Sequence, residues 1–146
     1  MVLSVLYIFF LSICATNNNA HFTLEYHEIQ TKTQELNFIN KYKNSKEVAI
    51  RAYVISLHIK HVKYLILPWQ KLKVFNTYKN ELDGLIYKHP KNIHLRYVRL
   101  LIQEKVPRFL NYFSDIEKDK SFLKKLITIK DSTDYLDKYI IKNTSL

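Results

Sequence analysis

Three polar residues on one predicted helix are the first candidates for chemistry: Arg96, Arg99 and Gln103, within 90–119. At 100° per residue they share an arc of about 60° with Asn92. Ile93, Leu95, Tyr97, Val98, Leu100, Leu101 and Ile102 fill the wider arc. Two guanidinium forks and an amide can hold a carboxylate or phosphate. The same strip also fits the water-facing edge of a half-buried helix, which the sequence favours. Alternatively the arginines turn inward, where Asp115, Glu117 or Asp119 would have to supply carboxylates. Tyr112 and Asp119 join the three as candidate members of a ligand-binding or structural polar network.

Other constellations are weaker. His58 and His61 have a helical spacing compatible with two metal ligands, but no Glu lies between them and no third ligand is evident. A partly buried His61 is the better expectation. His89 and His94 flank a proline turn and need no special role. Asp115, Glu117 and Asp119 resemble part of a calcium loop that lacks its glycine and distal glutamate, so a solvated helix end is expected. A chain with one glycine cannot build a glycine-rich phosphate cradle, and no Gly-x-Ser-x-Gly occurs. We therefore expect a non-catalytic protein, with no cofactor and no metal. The 11 Tyr and 8 Phe invite a base- or sugar-stacking role. Most fall on predicted apolar faces, so core packing is expected for Tyr53, Phe75, Phe109 and Phe113.

The formal charge is +10, from 23 basic and 13 acidic residues. Basic and acidic residues are interleaved rather than gathered in a basic run, so no nucleic-acid partner is expected. Residues 2–15 are apolar and uncharged. About 14 residues is too short to span a bilayer but fits the apolar region of an export signal. Small residues at Ala15 and Ala20 offer cleavage positions, although the usual basic start is missing. A buried first helix and a membrane anchor are the alternatives. We expect a signal at 1–20, a periplasmic or otherwise exported mature protein, and no transmembrane span in it. Cys14 is the only cysteine, so no internal disulfide forms. Ile13 is too bulky for a good lipoprotein box, so lipid anchoring at Cys14 is not expected.

The scarcity of glycine and proline argues against many tight turns, and hence for an all-α domain over 21–146. One helix is expected from His21 to about Tyr42, with a polar gap at Thr33. A second, capped by Ser45, runs from Lys46 toward Leu67. It is apolar all round, which marks a central element. Pro68 ends it and opens an amphipathic third helix to Lys88, with Leu72, Val74, Phe75, Tyr78, Leu82, Leu85 and Ile86 on one half. Gly84 lies on the polar side, where close backbone packing or a nearby helix end would account for it. Asn92 caps the next helix. Pro107 is expected to open another with Phe109, Leu110, Tyr112, Phe113 and Ile116 inward. Ser121 and Ser132 are expected to cap two short final helices. The sum is a compact bundle or array of about six to seven antiparallel helices.

Several stretches together resemble a known group. They are Pro68-x-x-Lys71-Leu72-x-x-Phe75, Ile86-x-x-x-Pro90-x-Asn92, Leu95-Arg96-x-x-Arg99 with Gln103, Pro107-x-Phe109-Leu110-x-Tyr112 and Ile116-x-x-Asp119-Lys120. Over roughly Tyr53 to Leu126 the chain resembles uncharacterised small exported helical proteins of Bacteroidota, flavobacteria especially. The resemblance implies an export signal and supplies no activity. The Ile-x-x-x-Pro-x-Asn ending is also similar to the close of a tetratricopeptide helix pair. That is an analogy in helix-hairpin packing, since prolines 68, 90 and 107 do not keep the 34-residue period. The expected role is a structural or protein-interaction module of the bacterial envelope, its partner another envelope protein. Small-ligand or anion binding by Arg96, Arg99 and Gln103 is the alternative.

Overall fold

The computed structural model describes residues 19–146, which are helical without a strand. Helix α1 is helical from residue 19, where the description begins, to residue 27. It is followed by α2 (Lys32–Tyr42), α3 (Val48–His61), α4 (Pro68–Lys88), α5 (Ile93–Lys105), α6 (Ile116–Leu126) and α7 (Asp134–Asn143). Single 3₁₀ turns at Val62–Tyr64 and Arg108–Leu110 follow α3 and α5. Cys14 and nearly all of the expected signal lie outside the described residues. No helix among the described residues is long and apolar enough to cross a membrane.

Helix α3 is central because its sequence leaves it no polar face. It packs on α2, α4 and α5. Ala52, Tyr53, Ile55 and Leu57 are almost wholly buried. Its small residues, Ala49, Ala52 and Ser56, let neighbouring helices come close. Helix α5 is the second central element and packs on α3, α4 and α6. Eleven of its 13 residues are buried. Burying one Leu or Phe fully contributes about 1.5–3 kcal/mol, so these two helices hold the fold. Phe22 of α1 packs its ring 5.5 Å from Tyr53, and Leu136 and Ile140 of α7 are fully buried.

Capping chemistry sets several boundaries. Asn92 accepts from Leu95 N at 3.1 Å, as its sequence position implies. Pro68 occupies the first turn of α4. The expected single helix from His21 to Tyr42 is instead two. Thr31 and Gln34 form a capping box, Gln34 N donating to Thr31 Oγ1 at 3.2 Å and Thr31 N to Gln34 Oε1 at 3.0 Å. Ser45 does not cap a helix at Lys46; it accepts from Glu47 N, and α3 begins at Val48. Pro107 opens only a 3₁₀ turn, which Asn111 closes in the left-handed conformation at φ 50°. Phe109 is consequently 83% exposed and Phe113 40%, contrary to the expected apolar face. Ser121 lies inside α6 rather than capping it. Before α7, Asp131 rather than Ser132 supplies the acceptor, taking Thr133 N at 2.6 Å. Gly84 faces open space, so close packing does not explain it.

Candidate functional site

The strip on α5 does not face water. Arg96, Arg99 and Gln103 are all buried, and Asp119 is 0% exposed. The loss of polar contact with water is met by ion pairing from a residue one helix later. Arg99 donates to Asp119 through Nε at 2.6 Å and Nη2 at 2.8 Å, a two-bond fork. Arg96 Nε pairs with Oδ1 of the same carboxylate, the oxygen that Arg99 Nη2 also reaches. Its Nη2 donates to the Lys118 carbonyl at 3.3 Å, and its guanidinium lies 4.7 Å over the Phe122 ring.

The network extends outward. Asp115 and Asp83 lie 3.5 and 3.9 Å from Arg99 Nη1. Tyr112 donates to Asp83 Oδ1 at 2.8 Å. Burial and the adjacent Asp83 carboxylate hold the Tyr112 phenol well above its ordinary range, so it remains a donor. Burial alone would weaken the Arg99 charge, but the Asp119 bonds outweigh it and raise its pKa. The two cations thus meet up to three carboxylates, which joins α4, α5, α6 and the segment before α6. Asp115 and Glu117 keep water contact while Asp119 does not, so the expected solvated acidic end holds for the first two alone.

Gln103 is the exception in the strip. It is 4% exposed, and neither its Nε2 nor its Oε1 has a hydrogen-bond partner. It borders a hollow of about 670 Å³ shared with Arg108, Tyr112, Phe113 and Lys120. So the five sequence candidates lie in one region, but only Gln103 and Tyr112 border this space.

The histidines also fall differently. His61 Nε2 lies 2.7 Å from Glu35 Oε2, and Lys60 Nζ 2.6 Å from Oε1. Glu35 is itself buried, which sequence did not indicate. His58 stacks on Tyr78 with ring centres 4.2 Å apart. No metal-type grouping of His, Cys, Asp and Glu occurs among the described residues. His94, to which no role was given, is a core residue. Its Nδ1 is 2.8 Å from Tyr53 Oη and its Nε2 2.8 Å from Tyr135 Oη. A neutral imidazole satisfies both, donating from one nitrogen and accepting at the other. The only signal available was its place on an otherwise apolar helix.

A larger space lies on the other side of α5. A cleft of about 940 Å³ runs between the end of α1, α3, the first turns of α4 and the end of α5. Leu57, Ile59, Phe75, Leu101 and Ile102 form its buried wall. Leu72, Val106, Phe109 and Leu110 line it with partial or full exposure. Tyr26 Oη and Ser56 Oγ on the wall bond each other at 2.7 Å, and Asn143 Nδ2 donates to the Tyr139 carbonyl. The charged residues that line it are all lysines, and neither Asp nor Glu is among the described lining residues. The volume lies within the range of about 300–1,000 Å³ typical of small-molecule sites. Comparison with protein-family models, curated proteins and solved structures returns no match.

Proposed function

We propose that this chain is a non-catalytic binding module of the bacterial envelope, exported by its N-terminal signal, that takes an apolar ligand group in the α3–α4–α5 cleft. The observation that carries the reading is the cleft itself: about 940 Å³ walled by apolar side chains, with Tyr26 and Ser56 on the wall bonded to each other. Exposing such a surface to water is unfavourable, and covering it stabilises by about 25 cal/mol per Å². The apolar, uncharged start at residues 2–15 and the resemblance to small exported helical proteins support the location.

A neutral solvatochromic dye, N-phenyl-1-naphthylamine, tests the site. Saturable binding with a blue-shifted emission is expected, and Leu72→Asp should abolish it. Leu72 is half-exposed, so the fold tolerates the charge. Absence of saturable binding, or binding unaffected by Leu72→Asp, would sink the reading. Fractionation of the native host, with mass spectrometry of the mature N-terminus, tests the location. An intact Met1 in the cytoplasm would overturn it.

The alternative anion site on Arg96, Arg99 and Gln103 gains less from the geometry. Asp119 already occupies both guanidinium groups.

A further inference from the structure

We propose that the cleft's ligand is a monomeric, single-chain amphiphile with one anionic head group, of the fatty-acid type, its chain along the apolar wall and its head group at Lys71 and Lys105. This rests on the cleft being the binding site and adds the ligand's chemistry.

Charge complementarity carries the argument. Four lysines border the cleft: Lys60, Lys63, Lys71 and Lys105. Lys60 is taken by Glu35 at 2.6 Å, and Lys63 lies over the Tyr64 ring at 4.7 Å. Lys71 and Lys105 have neither a carboxylate within 4 Å nor an aromatic face among the described residues. They come from different helices, the first turn of α4 and the last turn of α5. An unneutralised ammonium beside an apolar wall attracts a ligand that has both an anion and a hydrocarbon chain. A neutral ligand would leave that field unused, and a cationic one would be repelled. The field is also felt at the α1 end of the cleft. Burial first, then Lys105, Lys142 and Lys138, push the His27 imidazole down to about 4, so it stays uncharged there. No orphaned buried polar atom among the described residues belongs to the cleft, so a plain alkyl chain strands nothing.

The test is displacement of N-phenyl-1-naphthylamine from the full chain, below the critical micelle concentration, by decanoate, dodecanoate and tetradecanoate, each against its alcohol. Each added methylene that is buried should tighten binding by about fourfold. Dodecanoate should outcompete dodecanol by about tenfold, the lower end of what a hydrogen bond to a charged group contributes. Lys71→Gln with Lys105→Gln should remove most of that ratio, whereas Lys91→Gln, in the turn before α5, should leave it. Equal displacement by acid and alcohol, or a ratio untouched by the double change, would overturn the ligand class while leaving the cleft as a binding site. Failure of the dye to bind would instead remove the underlying reading. Binding to anionic vesicles without displacement by dodecanoate would overturn the proposal in favour of a membrane surface. Shielding of Cys14 from a thiol reagent, coupled to exclusion of dodecanoate, would overturn it in favour of the chain's own residues 2–15.

Discussion

Arg99 grips Asp119 with two parallel hydrogen bonds, 2.6 and 2.8 Å long, at a carboxylate with no exposure to water. Arg96 shares that carboxylate from one turn earlier on α5. One acid is thus shared by two arginines and pins α6 to α5. A buried ion pair is costly to desolvate and costlier to halve, which makes its members unequal under substitution.

Asp119→Ala should therefore destabilise by about 3–5 kcal/mol, because it leaves two buried guanidinium groups against partners that are distant or exposed. That is a large share of a total near 5–15 kcal/mol. Urea unfolding by circular dichroism reads it directly. Replacing all three partners, Arg96→Met with Arg99→Met and Asp119→Leu, should lose far less than Asp119→Ala alone. A triple variant as unstable as the single one would show that the ions contribute more than their own mutual satisfaction.

Gln103→Met should raise the melting temperature. Both amide atoms lack partners at a 4% exposed position, and an unsatisfied buried polar group costs about 1–3 kcal/mol. Methionine keeps the length and removes the polarity. Scanning calorimetry of the two proteins decides it. A lower melting temperature for Gln103→Met would mean that the amide is satisfied in solution.

The contrast between Arg96 and Phe109 shows where sequence stops. Periodicity located α3, α4 and α5, because prolines 68 and 90 and the cap at Asn92 act within a few residues. The all-round apolar α3 was legible as central, whereas the polar strip of α5 read as the water-facing edge of a half-buried helix. Choosing its direction required Asp119, 20 residues away across a chain reversal that no local pattern encodes. Phe109 and Phe113 failed for a related reason. A proline can open a helix, but Asn111 in the left-handed region stopped this one after a single turn. The apolar cleft was invisible for the same cause, being assembled from ends of four helices. The break at Thr31 is different, since Thr-x-x-Gln is a local signal that stood in the sequence.

That capping box gives a small, local effect. Thr31→Ala should cost about 1 kcal/mol, and Gln34→Ala a comparable or smaller amount, since the pair is exposed. The double variant should cost less than the sum, because each side chain answers the other's backbone N–H. Denaturant midpoints of the four proteins measure the coupling. Strict additivity would mean that the two bonds are independent.

Acid should weaken the fold through His94 before ordinary carboxylate titration is complete. Burial pushes its imidazole from 6.5 down to about 4. Above pH 6.5 both the folded and unfolded chains hold it neutral, and it contributes nothing to the pH dependence. Below that value the unfolded chain takes up a proton that the folded chain refuses. Stability therefore falls as pH drops from about 6.5 toward 4 and levels off once the folded histidine also protonates. The slope approaches about 1.4 kcal/mol per pH unit, for a total on the order of 3 kcal/mol. His27 is displaced in the same direction by burial and by Lys105, Lys142 and Lys138, and adds to the effect. His94→Gln, which retains a donor and an acceptor for Tyr53 and Tyr135, should flatten the profile between pH 6.5 and 4.5. Urea midpoints across that range, with the His94 ring protons followed by NMR, test both halves of the argument. A His94 titration centred near 6.5 in the folded protein would show that charging the ring does not oppose the fold.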